Sequence, residues 1–187
     1  GNLVFSRQRT MFEFLGSLSL PGAEISAYYE PTKTAFVIGG QFLYIVDLED
    51  PSNPQQVGNA IDLGLDIQSV AINNQGLIAL ALGQTGTVVD TQVEENINGL
   101  IQFHQWDGTN LPQVGQIEAG VLPDSLAFNA DGTVIVVANE GEPNQFYTKD
   151  ESSDPVGSIS VISVNSADPG ASTVLNLGFA AYDSQLH

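Results

Sequence analysis

Positive charge is what this sequence most lacks. Arg7, Arg9, Lys33 and Lys149 are its four basic residues, set against 22 acids for a formal net charge of −18. With no basic stripe to displace counterions from a phosphate backbone, nucleic acid is excluded as a partner. Cysteine is absent altogether, which removes disulfides and thiolate nucleophiles but leaves the compartment open, because a sheet-rich core of this size does not need staples. No stretch approaches the roughly 20 apolar residues of a membrane-spanning helix, so no membrane span is expected. Neither a G-x-S-x-G elbow nor a P-loop occurs, and a familiar nucleophile or phosphate cradle is therefore not in view.

Only 14% of the residues are charged, so the imbalance reflects missing Lys and Arg more than a surplus of acids. An acidic, Lys-poor, Gly-rich protein suits a secreted or cell-surface setting in which salt or divalent cations screen the repulsion. Solubility alone accounts for the acidity equally well.

What is present is a cassette that occurs three times: SAYYEPTKTAFVI from Ser26, SVAINNQGLIALA from Ser69 and SLAFNADGTVIVV from Ser125. Each reaches an apolar residue three positions after the Ser (Tyr29, Ile72, Phe128), turns through EPTK, NNQG or NADG, and resumes with an apolar run eight positions after the Ser. Pro, Asn, Asp and Gly supply the preset φ, local hydrogen bonds and positive φ that tight turns require. The short apolar runs bounded by such residues suit buried strands better than helices.

A third apolar run follows in each unit, LYIVDL from Leu43, GLIQFHQW from Gly99 and GSISVISV from Gly157, and then a fourth after a polar turn. The fourth strands are introduced by NPQQVG from Asn53 and NLPQVG from Asn110 in the first two units, and are represented by ASTVLNL from Ala171 in the third. Four antiparallel strands recurring at spacings of 43 and 56 residues match a propeller blade of roughly 40 to 50 residues. The expected fold is all-β: a fragment of a β-propeller with about three four-stranded antiparallel blades. Blade 1 covers about 22–62, blade 2 about 65–118 and blade 3 about 121–178, with the start of a next blade at 179–187 and a tail at 1–10.

Residues 11–20, MFEFLGSLSL, alternate imperfectly and are expected to be an N-terminal strand that closes the last blade. A secretory leader is the competing reading, since Arg7 and Arg9 precede an apolar stretch. Glu13 and the period-2 pattern favour the strand. Three blades do not close a ring of the usual four to eight, so the open ends are expected to pair with missing blades or with other copies of the chain.

In a blade running from inner to outer strand, the loop between strands two and three leaves on the same face as the connection between blades. On that face the first unit has only GGQF, whereas the second has LGQTGTVVDTQVEENIN and the third ANEGEPNQFYTKDESSDPV. Long loops on a rigid scaffold are where function usually resides. The third insertion gathers Asn139, Glu140, Glu142, Asn144, Asp150, Glu151 and Asp154, and Asp66 and Asp124 enter inner strands on the same face. Carboxylates and amide oxygens are the hard ligands that Ca²⁺ takes six to eight at a time. The expected Ca²⁺ ligands are Asp66, Asp124, Asn139, Glu140, Glu142, Asp150 and Asp154, with a solvated acidic loop as the alternative. His104 reads as a packed strand histidine, NADG from Asn129 as a hairpin turn, and the repeated Ser as part of the blade.

The run LPDSLAFNADGTVIVVANEGEPN with YTKDESSDPVGSISVISV, together with the earlier GAEISAY and LYIVDLEDPSNPQQVG, resembles the choice-of-anchor I family of secreted bacterial propellers, often labelled alkaline phosphatase-like. The resemblance covers about residues 18–180 and is most specific at ANEGEPN; the blade pattern is shared with YVTN-type propellers. It implies a seven-bladed ring, export to the surface or medium, and this chain as its N-terminal portion.

Two function classes follow. One is a non-catalytic surface module whose acidic face binds Ca²⁺ and a partner. The other is a calcium-dependent phosphoesterase in which Ca²⁺ held by Asp124, Glu140 and Glu142 polarises the phosphoryl group. Phosphate at so acidic a site needs several cations or an Arg/Lys clamp, and the insertion offers only Lys149, which favours the first.

Overall fold

The structure, a computed structural model, describes residues 13–83, 98–141 and 155–179, together with the backbone of 88–89 and 92–93. Its strands form three antiparallel blades. Blade 1 contains β1 (Ile25–Tyr29), β2 (Thr34–Gly39), β3 (Phe42–Asp47), β4 (Gln55–Gln56) and β5 (Ile61–Asp62). Blade 2 contains β6 (Ile67–Ile72), β7 (Leu77–Leu82), β10 (Asn98–Gln105) and β11 (Gln113–Val121), with a small separate hairpin, β8 (Val88–Val89) and β9 (Gln92–Val93), inserted after β7. Blade 3 is β12 (Pro123–Phe128), β13 (Val134–Asn139), β14 (Ser158–Ser163) and β15 (Thr173–Gly178). The first strands β1, β6 and β12 pack beside one another as the inner strands.

Two apolar layers separate the blades. Phe36, Ile38, Leu43 and Ile45 of blade 1 meet Val70, Ile78, Leu80, Leu82 and Trp106 of blade 2. On the other side of blade 2, Leu77, Ala79, Ala81, Ile101 and Phe103 meet Leu126, Ile135, Val137 and Ile162 of blade 3. Strand β7 therefore feeds both layers in alternation and all six of its residues are buried, which explains why LIALAL has no polar position. Each buried branched aliphatic contributes roughly 1.5–3 kcal/mol of transfer free energy.

The cassettes align without gaps in letters, but their ladders do not. The pairs that close the first turn are Tyr29↔Thr34, Ile72↔Ile78 and Phe128↔Ile135. The intervening residues are 30–33, 73–77 and 129–134, one longer in each successive blade. Because a one-residue step sends a strand's side chains to the opposite side, Ala27 and Tyr29 point toward blade 2, whereas the letter-equivalent Val70 and Ile72 of blade 2 point back toward blade 1.

The near-identical NPQQVG and NLPQVG also diverge. After Gln113 the outer strand β11 runs for nine residues; after Gln55 it breaks into β4 and β5, both paired to β3. Residues 57–60 bulge between them, and Gly58 and Gly64 flank β5 with φ of 68° and 71°, a left-handed backbone that glycine adopts without a Cβ clash.

Residues 13–20 do not join a sheet, so the expected N-terminal strand is here an unpaired arm, with no neighbouring strand to complete its ladder. The arm crosses the outward side of blade 1. Gly16 lies so close to Pro51 and Ser52 that a Cβ would sit 2.7 Å from the Pro51 oxygen, and Tyr44 donates its hydroxyl to the Pro21 carbonyl at 3.0 Å. Gly115 meets the Pro169–Gly170 turn of blade 3 in the same way. Gly16 and Gly115 each precede their cassette Ser by ten positions. The arm thus occupies the place of a preceding blade's outer strand.

Candidate functional site

The chain direction brings one face together. Gly83 N donates to the Asp66 carbonyl, Glu140 N to Leu122 and Gly141 N to Val121, so both long insertions spring from beside the blade-to-blade connections. In blade 1 the same place is filled by a tight turn at Gly40, with φ of 56°, whose carbonyl accepts from Ile67 N at 2.9 Å.

Of the expected ligands, Asp66, Asp124 and Glu140 have exposed side chains at this face. Asp66 and Asp124 are not equivalent positions. Asp124 lies in the bulge between the pairs of Pro123 and Ser125, whereas the corresponding bulge of blade 2 holds Gln68. Glu142, Asp150 and Asp154 lie outside the described residues. Among the described residues no three His, Asp or Glu side chains gather into a group that could hold a metal.

Asn139 is placed differently from the expectation. It is 3% exposed, and its Oδ1 accepts from Gly120 N at 3.1 Å. Its Nδ2 donates to the hydroxyls of Ser158 and Ser160 at 3.1 and 2.8 Å, and Ser160 donates on to Asn176 at 2.6 Å. Its amide is committed to joining blades 2 and 3, which removes it from the ligand set. The signal was present in the sequence: Asn139 continues the period of Ile135 and Val137, the buried side of β13, where a polar group must find partners inside the protein. Gly120 makes the approach possible, since a Cβ there would lie 2.5 Å from Nδ2.

The opposite face is built from interlocked turns. Asn73 accepts N–H bonds from Gln75 and Leu77 and reaches the Gly132 carbonyl of the next blade at 3.4 Å. The NADG segment forms such a turn, with Asn129 Oδ1 accepting from Thr133 N and Val134 N. His104 is 4% exposed, with Nδ1 3.2 Å from the Leu111 carbonyl and Nε2 2.8 Å from the Gln102 amide. Burial pushes its pKa below the ordinary value, the Leu111 carbonyl opposing more weakly. No helix among the described residues is long and apolar enough to cross a membrane.

A family model of the choice-of-anchor I domain matches residues 24–187. No curated protein matches the chain. Among solved structures it is similar to a proposed 6-phosphogluconolactonase from Bacteroides fragilis NCTC 9343, with TM-score 0.61 and 11% identity over 84% of this chain. A second proposed 6-phosphogluconolactonase, from Bacteroides uniformis ATCC 8492, gives TM-score 0.54 and 14% identity over 82%. The chain spans 39% of each of those structures. At such identities the likeness is one of fold.

Proposed function

Because this chain belongs to the choice-of-anchor I domain family through residues 24–187, we propose that it is part of a secreted or cell-surface β-propeller that presents an acidic, loop-bearing face to a partner. One observation carries this reading: the points from which both long insertions leave the blades, at Gly83 and Gly141, share the face where the inner strands begin with the exposed side chains of Asp66, Asp124 and Glu140. Ca²⁺ is the proposed ion, with those three residues and Glu142, Asp150 and Asp154 as oxygen donors. Asn139 is left out because its amide is already satisfied.

Isothermal calorimetry with Ca²⁺, on the wild type and on Glu140→Gln, tests the ion. Millimolar or tighter binding that weakens in Glu140→Gln is expected, and no heat in the whole protein would remove Ca²⁺ from the proposal. The whole protein is assayed in parallel on a chromogenic phosphomonoester. Turnover that needs Ca²⁺ and is lost in Glu140→Gln would replace the binding module by a phosphoesterase.

A further inference from the structure

We propose that Leu122 is a two-state backbone joint that couples the stems of the two long insertions, so that what displaces one stem is felt at the other. Leu122 has a φ of 49°, and Lys33, in the first turn of blade 1, is the other non-glycine residue with positive φ among the described residues. A left-handed φ is unfavourable for leucine, and the next residue is Pro123, which favours an extended conformation at position 122. Two local preferences are thus overridden at one residue. Such a conformation persists only where its surroundings over-determine it.

The need for the strain lies in the chain path. Val121, the last residue of β11, pairs with Asn98 in blade 2, and Pro123, the first of β12, pairs with Asn139 in blade 3. Leu122 alone turns the chain from one sheet to the next. At the preceding connection residues 63–66 share that task, and the positive φ falls on Gly64, at 71°, where no Cβ opposes it.

Both stems are seated on this joint. From blade 3, Glu140 N donates to the Leu122 carbonyl at 2.8 Å and Gly141 N to that of Val121 at 3.2 Å, while Asn139 Oδ1 accepts from Gly120 N. Consecutive residues of the connection are thereby tied to consecutive residues at the start of the third-unit insertion. The insertion of blade 2 leaves at Gly83 and returns to β10 at Asn98. A Cβ on Gly83 would lie 3.2 Å from Leu122 Cδ1, and one on Gly99 would overlap the ring of Pro123, which is fully buried. The side chain of Leu122 therefore serves one stem and its carbonyl the other. Rotation about φ turns both together relative to β11, so relaxation to the extended backbone withdraws them at once. A ligand or partner that shifts either stem changes the balance of the two states, and the effect reaches the other stem reciprocally.

Residue-resolved hydrogen exchange on the whole protein tests the joint. The amide of Gly83, bonded to the Asp66 carbonyl, and those of Glu140 and Gly141 report opening of the two stems. Leu122→Ile keeps the apolar bulk but is β-branched and resists positive φ, whereas Leu122→Asn loses the bulk and tolerates that φ. The expected result is exchange faster by roughly tenfold or more at all three amides in Leu122→Ile, with near-wild-type rates at Glu140 and Gly141 in Leu122→Asn. The reverse ranking would make side-chain packing the cause and overturn the proposal. So would wild-type rates in Leu122→Ile, or an acceleration there that stops short of Gly83, since the stems would then be independent. If Leu122→Ile does not accumulate, Gly83→Val decides: crowding Leu122 from blade 2 should speed exchange at Glu140 and Gly141 in blade 3, and unchanged rates there overturn the proposal. No ion is added, so the outcome stands apart from that of the Ca²⁺ titration.

Discussion

Trp106 Nε1 donates to Thr32 Oγ1 at 3.0 Å, tying the end of the third strand of blade 2 to the short 3₁₀ turn Glu30–Thr32 of blade 1. The same indole meets Phe36 edge to face, with ring centroids 5.4 Å apart and planes at 78°, and is 6% exposed. A polar tip and an apolar body thus fasten one boundary at two points.

Truncating that fastening should show as lost stability. Trp106→Ala is expected to cost about 3–5 kcal/mol, and Trp106→Phe about 1 kcal/mol if it retains the ring contact and loses only the hydrogen bond. Urea unfolding followed by circular dichroism measures both, since the chain's one Trp is lost as a fluorophore. Equal costs for the two variants would contradict the division between ring and hydrogen bond.

Asn139 separates a structural amide from a metal ligand. Asn139→Ala strands Gly120 N–H and removes the donor to Ser160, and is expected to destabilise by roughly 1–3 kcal/mol. It should leave any Ca²⁺ affinity of the folded protein unchanged. A variant with wild-type stability and weakened Ca²⁺ binding would return Asn139 to the ligand set.

The pH dependence has a definite sign. Burial lowers the His104 pKa from its ordinary 6.5, so below that value the unfolded chain binds more protons than the folded one. The contribution of His104 is therefore complete above about pH 6.5 and is lost as pH falls through the depressed folded value. Asp107, held low first by the backbone N–H of Asn110, and Asp131, held low first by the Thr133 hydroxyl, follow the same direction from 3.8 downward. Unfolding free energy measured by urea across pH 4.5–7 should decline toward acid in the wild type and more shallowly in His104→Phe. The same slope in both would remove His104 as the source.

Gly115 and Gly16 should not tolerate a side chain. A Cβ on Gly115 would meet Gly170 N at 2.4 Å, and one on Gly16 the Pro51 oxygen at 2.7 Å. Gly115→Ala is expected to cost about 1–3 kcal/mol as overpacking between blades 2 and 3. Gly16→Val should instead release the arm, seen as faster proteolysis at residues 13–20 with little change in the main unfolding transition. An arm equally protected in Gly16→Val would show that its seat is not the turn at Pro51.

The four-stranded blade was legible in the sequence because turn residues and apolar runs recur in step, and LIALAL announced a strand buried on both sides. What was not legible was the ladder. NPQQVG and NLPQVG differ in strand length because Gly58 takes a left-handed φ while Gly115 packs against the next turn, and the letters before those glycines carry no trace of it. For the site, the topology that puts two insertions on one face could be argued from strand order. The role of Asn139 depended on which side of β13 it occupies, a matter of alternation rather than residue type.

The lengthening of the first turn from blade to blade bears on any attempt to recombine this protein. A chimera cut at Ser26, Ser69 or Ser125 would join homologous letters yet set the transplanted hairpin half a pleat out of phase. In blade 1, for example, Ala27 and Phe36 are ladder partners that both face blade 2, whereas the residues at the same letters of the second cassette, Val70 and Ala79, face opposite sides of their own blade. Interchangeable segments are those bounded at equivalent ladder pairs, so that each hairpin travels with its own turn and with both of the neighbours it was fitted to.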